Sequence, residues 1–440
     1  MSEQLNSRPL VSLSQDQAEA IIKKHEKMLS GHMGGARADF SFHDLSNLNL
    51  IGRNLQGADF TGARLHKTDL SSARLERASF FGADLRGADL EEAVLRRADL
   101  RGACLRGANL ISADLYDADL REGAIAEQRK KGGLDHLTYG SGDPSEASHA
   151  MFINANLEKA RMSGMVATQA DFTDAMMKDC KLGRANLKNA RLDNAVLEGA
   201  DLSGANLTGA SMKGAILKGA NVSHAIIDKR ALAETLNDAP AGKSIHDLGR
   251  PLADILNDHV SWVTSGGANG VPADLGGVDL REVSALARHD LTALKAVKGV
   301  FYGLKMPGVA LQGAQMMGAD MRGCDLQGAD LRGANFTGAL FNNADLRECN
   351  LGPLLVGNSM VVAAKLNNAV FRYANLSNAR FDKAIFTGAD LTSANLSGAK
   401  GKDAIFENTL VYGAKLPQGL LTQADFTGAK GLGKKQQSAA

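Results

Sequence analysis

Apolar residues recur along most of this chain at intervals of five. Between residues 82 and 120 every fifth position is Leu, Ala stands two positions earlier, and Asp or Asn usually lies between them. This period matches neither the 3.6-residue period of an α-helix nor the two-residue period of a strand. An extended backbone turns Ala and Leu to the same side, and the neighbouring Gly, Ser, Asn and Asp suit a tight turn. One such unit cannot bury its Leu, so the pattern predicts stacked coils, that is, a solenoid.

The repeated pattern A-[DN]-L-x-x resembles that of the pentapeptide-repeat family. The resemblance implies an all-β solenoid, a right-handed four-sided (quadrilateral) β-helix with four pentapeptides in each coil. It also implies that the central Leu or Phe and the preceding Ala fill the interior. The motif specifies a fold far better than it specifies a function.

Four units per coil would place residues twenty positions apart in one column. This spacing predicts stacked Phe rings inside the solenoid, with Leu in the same interior positions. The predicted core includes Phe40, Phe60, Phe80, Leu85, Leu100, Leu202, Leu326, Phe386, Phe406 and Phe426. Outside, the acidic side chains of an Asp column would repel one another, with Arg101 and Arg121 close enough to offset part of the repulsion. That column comprises Asp39, Asp59, Asp99 and Asp119.

Interruptions of the period divide the chain into segments. The predicted segments are a disordered start with a helix (1–37), a first solenoid (38–227) interrupted by a polar, glycine-rich loop (126–149), a helical linker (228–272), a second solenoid (273–431) that is degenerate at 281–310 and 352–363, and a mobile tail (432–440). Ser14 and Gln17 have the spacing of a capping box and predict the start of the first helix.

The stretch around His259 repeats the stretch around His25. Five residues of each helical stripe align, and a glycine turn and the first pentapeptide follow in both copies. The aligned residues are Ile21, Ile22, His25, Met28 and Leu29 with Ile255, Leu256, His259, Trp262 and Val263. This duplication predicts two tandem solenoids, each preceded by an α-helical cap over its apolar core and unpaired strand edges. We expect both histidine rings to hydrogen-bond to a coil backbone, with a functional-site role as the alternative.

Candidate chemistry is sparse. The formal net charge is +1, so no overall field favours nucleic acid or an anionic membrane. The stretch AGKS at 241–244 lacks the first glycine of a phosphate loop because Asn237 stands there. The histidines show no metal-ligand spacing, and three of the four cysteines replace the small inward Ala. The sequence therefore predicts no catalytic residue, cofactor or metal, no membrane span, and a cytoplasmic protein without disulfides.

The leading functional hypothesis is a rigid, non-catalytic scaffold that binds other proteins. Its solenoid faces and the protruding loop at 126–149 would make the contacts. The candidate partner-binding residues are Arg129, Lys130, Lys131, His136 and Tyr139. A tolerated insertion without function is the alternative interpretation of that loop.

Two other functional hypotheses arise from the same sequence. The resemblance implies a DNA-mimicking modulator of DNA gyrase or another type II topoisomerase, as in quinolone resistance, and the duplication would then imitate a dimer within one chain. Such mimics are acidic, whereas residues 38–125 carry 14 Asp and Glu against 11 Lys and Arg. The third hypothesis is an enzyme site within 228–310, the least repetitive segment.

Overall fold

In the computed structural model the repeats form stacked coils. The structure describes residues 10–123, 125–128, 134–137, 145–236, 242–283, 285–357 and 359–432, with the backbone alone at 125–128 and 134–137. The chain divides into two compact units, Met1–Ala239 and Pro240–Ala440. No helix among the described residues is long and apolar enough to cross a membrane.

Successive coils are joined by parallel backbone bridges between positions twenty residues apart. Asp39 pairs with Asp59, for example, and Asp44 pairs with Arg64. The Phe40 amide donates to the Asp59 carbonyl at 2.7 Å, and the Asp59 amide donates to the Ala38 carbonyl at 3.0 Å. Each side of a coil contributes so few extended residues that the ladders consist mainly of single bridges rather than long strands.

A tight turn separates neighbouring sides of each coil. The Ala58 amide donates to the Leu55 carbonyl at 3.0 Å, which closes a four-residue turn. The third residue of that turn, Gly57, has φ +71°. A positive φ at this position is the signature of a type II turn, and glycine adopts it without steric cost.

The interior of each unit is filled with apolar side chains that solvent does not reach. All ten predicted core residues are at most 5% exposed. The rings of Phe40 and Phe60 stack with centroids 5.1 Å apart, and those of Phe60 and Phe80 with centroids 4.7 Å apart. In the second unit Phe386, Phe406 and Phe426 form a similar column, at 4.6 and 4.7 Å. These are the columns that the twenty-residue spacing predicts.

The first unit begins with a strand and a helix that pack on its first coil. Strand β1 (Val11–Ser12) pairs in parallel with β2 (His43–Asp44). Helix α1 (Gln15–Leu29) starts with the predicted capping box and buries Ala18 and Ile22. The expectation of a disordered start is therefore wrong for Val11 and Ser12, because their backbone extends the edge of the first coil. Residues 1–9 lie outside the described part.

The second unit begins in a similar way. Strand β5 (Lys243–Ser244) pairs in parallel with β6 (Val278–Asp279), and a 3₁₀ turn (Ile245–Asp247) follows. Helix α3 (Leu252–Thr264) begins shortly after Gly249, whose φ is +75°, and has Pro251 at its N-cap. The last two residues of the AGKS stretch thus form an edge strand rather than a phosphate-binding turn.

Four further elements depart from the coils in the part of the chain that the structure describes. They are the antiparallel hairpin of β3 (Ile125–Gln128) and β4 (Leu134–Leu137), the short helix α2 (Lys229–Ala233), the antiparallel hairpin of β7 (Leu354–Val356) and β8 (Met360–Val362), and the short helix α4 (Gln418–Leu421). Ala231 and Leu232 of α2 pack against the first core, and Leu420 and Leu421 of α4 are buried in the second.

The segment at 281–310 is predicted to be degenerate, but its described residues have regular coil geometry. Asp279 pairs with Val300, twenty-one positions later, whereas Ala285 pairs with Lys305 at the usual twenty. One extra residue between these two bridges accounts for the slip in the sequence. Large side chains in the small inward position, such as Leu294 and Leu304, are still buried.

One histidine joins each helix to the first repeat of its unit. Nδ1 of His25 accepts a hydrogen bond from the Ala38 amide at 3.0 Å, and Nδ1 of His259 accepts one from the Ala273 amide at 3.0 Å. Both side chains are fully buried. An acceptor at Nδ1 requires the neutral ring, and burial lowers the pKa of both histidines below 6.5.

Mild acid is therefore expected to destabilise both units. The folded chain holds these rings neutral, so the unfolded chain binds the two protons at higher pH. These two histidines should leave the free energy of unfolding unchanged above pH 6.5 and lower it as the pH falls from 6.5 to their lowered folded pKa values. Urea unfolding at a series of pH values measures this. The double variant His25→Asn/His259→Asn keeps an acceptor oxygen near each amide and should flatten the profile; an unchanged profile would contradict the assignment.

Candidate functional site

The loop predicted to bind a partner is partly a β-hairpin. Strands β3 and β4 pair antiparallel, with Ala126 opposite His136. The side chain of His136 lies outside the described residues, as do Arg129, Lys130, Lys131 and Tyr139 altogether. Their role in binding stays a prediction.

The coil resumes at Ser145, earlier than the predicted loop end at 149. The Ser145 hydroxyl donates to the Arg121 carbonyl at 2.6 Å and accepts from the Gly102 amide at 2.9 Å. Glu146 continues the ladder by pairing with Cys104. The sequence obscures this return because Ala147 fills the central position that Leu or Phe usually occupies.

The second hairpin, β7–β8, occupies the segment predicted to contain degenerate repeats, 352–363. Gln315 pairs with Asn335 at a separation of twenty, but Asn335 pairs with Lys365 at a separation of thirty. The ten additional residues include both strands of the hairpin, with Leu354 opposite Val362 and Val356 opposite Met360. Because ten is twice the repeat length, the five-residue frame passes through the insertion unchanged, and the prediction of repeats there is wrong.

The base of this hairpin rests on two glycines at a coil corner. A Cβ atom on Gly333 would lie 2.6 Å from Cβ of Leu354, and one on Gly313 would lie 3.5 Å from its Cδ2. The contact at Gly333 leaves no space for a side chain, so the hairpin sits directly on the coil backbone. Leu354 and Val362 are correspondingly half-buried.

The rest of the hairpin presents apolar side chains to solvent. Leu355 is 62% exposed, Val356 42%, Met360 58% and Val361 57%. No charged residue occurs from 351 to 364, in a chain of which 22% is charged. Soluble proteins rarely expose such patches without a binding role, and the outer edges of a two-stranded ribbon have unpaired backbone groups. The β7–β8 hairpin is therefore the principal candidate site.

Ion pairs partly neutralise the outward Asp column of the first unit. Arg101 contacts Asp99 at 2.7 Å, and Asp119 receives Arg121 at 2.9 Å and Arg161 at 3.3 Å. Burial by itself would raise the pKa of Asp119, but the hydrogen bonds from Arg121 and the nearby guanidinium groups lower it. This stretch of the surface is a mixture of charges rather than a negative face.

Cys180, Cys324 and Cys349 are buried, and Trp262 packs against a buried histidine. Burial raises the pKa of the Cys180 and Cys324 thiols, and raises that of Cys349 to about 12, so none of them is a ready nucleophile. The Trp262 ring stacks on His259 with centroids 5.9 Å apart. No cluster of His, Cys, Asp and Glu suited to a metal occurs within the described ranges.

The sequence model described as "Pentapeptide repeats" matches the chain in eight copies. The matched residues include 44–80, 73–110, 150–189, 185–223, 314–352 and 363–400. No curated protein matches the chain in sequence.

Several solved structures resemble the chain. HetL, a pentapeptide repeat protein involved in heterocyst differentiation regulation from the cyanobacterium Nostoc sp. strain PCC 7120, is 22% identical; the match covers 88% of this chain and 94% of HetL, with a TM-score of 0.18. QnrB1, a plasmid-mediated fluoroquinolone resistance protein, is 17% identical over 43% of this chain and 87% of its own, with a TM-score of 0.23. A pentapeptide repeat protein from the cyanobacterium Cyanothece 51142 is 24% identical over 32% of this chain and 87% of its own, with a TM-score of 0.14.

These TM-scores are too low to support an argument about function. The repeated motif and its matches along both units nevertheless agree on one family. The chain is a member of the pentapeptide-repeat family, whose fold is the right-handed, four-sided β-helix.

Proposed function

We propose that this chain is a non-catalytic scaffold that binds another protein, and that the β7–β8 hairpin makes the main contact. The observation that carries the proposal is the exposed apolar surface of Leu355, Val356, Met360 and Val361. A ribbon without charge offers little to nucleic acid or to an anionic membrane, both of which attract basic groups. Its complement is an apolar groove or an edge strand on a protein partner.

The stacked coils would hold the hairpin rigidly, as a protein-binding scaffold requires. We propose that the described units are two tandem solenoids and that α1 and α3 close one end of each. Strands β1 and β5 extend the first coils, where open edges would otherwise invite edge-to-edge pairing. The same proposal places the protein in the cytoplasm, since its four cysteines are free.

DNA mimicry is a weaker candidate, although QnrB1 is a fluoroquinolone resistance protein. A duplex mimic needs a continuous negative face. Arg101, Arg121 and Arg161 interrupt the Asp column of the first unit, and the formal net charge of the chain is +1. An enzyme site within 228–310 has equally little support, because Lys243 and Ser244 there belong to an edge strand.

Serine substitutions on the hairpin test the proposal. The partner is first recovered from the native cell with the intact chain, identified and purified. The double variant Leu355→Ser/Val361→Ser should then bind it at least about tenfold more weakly, because buried apolar side chains dominate interface energy. The fold should survive, since both residues are exposed.

A matched control separates the hairpin from general surface hydrophobicity. Ile51 and Met317 are 48% and 38% exposed at coil turns, and Ile51→Ser/Met317→Ser should leave the affinity unchanged. Equal affinities for the two double variants would rule out the hairpin as the main contact.

A further inference from the structure

A cleft of about 620 Å³ opens on the first unit, at a corner of the coil. Its lining residues come from successive coils and are Arg101, Arg121, Glu122, Ser163, Gly164 and Arg184. The cleft exists because Gly164 has no side chain where the coils on either side carry Glu122 and Arg184. Its volume lies in the range of pockets that take an organic ligand rather than a single ion.

Two of the arginines are held in place on one edge. Nε and Nη2 of Arg101 donate to the Asp99 carboxylate at 2.8 and 2.7 Å, and the same atoms of Arg121 donate to Asp119, both at 2.9 Å. The Nη1 amino group of each guanidinium takes no part in these pairs. A guanidinium fixed in this way loses little side-chain entropy when it binds a second carboxylate.

Arg184 completes the positive wall of the cleft. It is exposed, and among the described residues it forms no ion pair. Its guanidinium N–H donors have no acceptor among the described residues, and a carboxylate is the group that fits their fork.

Glu122 adds a single negative group to the cleft. Its Oε1 lies 2.7 Å from the point that a Cβ on Gly164 would occupy, so the carboxylate covers that glycine. A small, highly charged anion would be repelled by this group. A peptide can place its own carboxylate near the arginines and a backbone N–H near Glu122.

We propose that this cleft binds an acidic segment of a protein partner, with an Asp or Glu carboxylate of that segment paired to Arg184. The proposal rests on the function as a protein-binding scaffold and adds a second, electrostatic contact on the first unit. It is independent of the apolar hairpin, which belongs to the second unit.

The test uses the full chain and two labelled synthetic peptides of equal length, one of alternating Glu and Gly and one of alternating Gln and Gly. Fluorescence anisotropy should show the Glu peptide binding at least about tenfold more tightly, since hydrogen bonds between charged groups are the strong ones. Equal binding of the two peptides would overturn the proposal.

Charge reversal supplies the matched pair of variants. Arg184 and Arg77 occupy the same turn position, with φ 59° and 58°, and Asp179 shows that Asp is accepted there, at φ 56°. Arg77 follows the Arg74–Val94 column, on a different side of the coil from the Asp99–Asp119 column. Arg184→Asp should abolish the preference for the Glu peptide, and Arg77→Asp should preserve it. Equal weakening by both variants would indicate general charge attraction and overturn the site.

The readout is distinct from that of the hairpin experiment. The synthetic peptide carries no apolar side chain, so the hairpin variants should bind it normally. If the Glu peptide does not bind, the proposal for the cleft is contradicted and the proposal for the hairpin is unaffected. If the hairpin variants bind the purified partner as tightly as the unmodified chain does, the proposed function is contradicted, and the peptide result can still be interpreted.

Discussion

Leu100→Asp is expected to lower the free energy of unfolding of the first unit by about 4 kcal/mol or more. Leu100 is 1% exposed and occupies an interior column between Phe80 and Leu120. A carboxylate there would lose its hydration in the apolar interior of the coils, where no charged side chain could pair with it. Urea unfolding followed by far-ultraviolet circular dichroism measures the loss.

An outward position of the same unit provides the control. Val94 is half-buried and stands where most repeats carry Asp or Asn. Val94→Asp should change the free energy of unfolding by no more than about 0.5 kcal/mol. Comparable losses for Val94→Asp and Leu100→Asp would contradict the assignment of inward and outward sides.

Phe60→Ala is expected to cost about 3–5 kcal/mol of stability. The ring stacks on Phe40 and on Phe80, with interplanar angles of 16° and 1°. Truncation would leave a cavity between two rings that the backbone ladder holds apart, so the column cannot close around it. Urea unfolding again gives the value.

Phe81→Ala removes the same atoms from a neighbouring position. Phe81 lies at the turn after Phe80, half-buried, with the Arg101 guanidinium 5.2 Å from its ring. Its truncation should cost about 1 kcal/mol, chiefly for the lost cation–π contact. A larger loss for Phe81→Ala than for Phe60→Ala would show that the interior column is not the main source of stability.

The interior was predictable because each column is specified many times over. One Phe at position 60 says little, but Phe40, Phe60 and Phe80 at equal intervals fix both the coil length and the inward side. The capping box at Ser14 was predictable for a related reason, since its two hydrogen bonds join residues three positions apart. Sequence patterns that are local or repeated many times therefore predict the structure well.

Other features depended on contacts that the repeat does not encode. Val11 and Ser12 have no pattern of their own and become a strand only because β2 offers an open edge. Ser145 rejoins the coil through its hydroxyl group rather than through an apolar side chain. Neither contact has a signature in the local sequence.

The length of the hairpin conceals it in the sequence. An insertion of ten residues preserves the five-residue frame, so Leu351 and Leu366 remain in phase. A signal was nevertheless present: two apolar triplets, Leu354–Val356 and Met360–Val362, flank a short turn that contains Gly357. Two short apolar runs on either side of such a turn are typical of a hairpin. This signal outweighs the five-residue period, because the small inward Ala of the repeat is missing here.

The same arithmetic supplies the most direct test of the central claim, that binding resides in the departure from the repeat and not in the repeat itself. Excision of residues 353–362 joins Gly352 to Ala363 and restores the twenty-residue spacing between Asn335 and Lys365. The measurement is the affinity of this shortened chain for the purified partner, beside its urea unfolding curve. We expect an intact, cooperatively folded chain that binds the partner at least about tenfold more weakly; full affinity in the folded, shortened chain would contradict the claim.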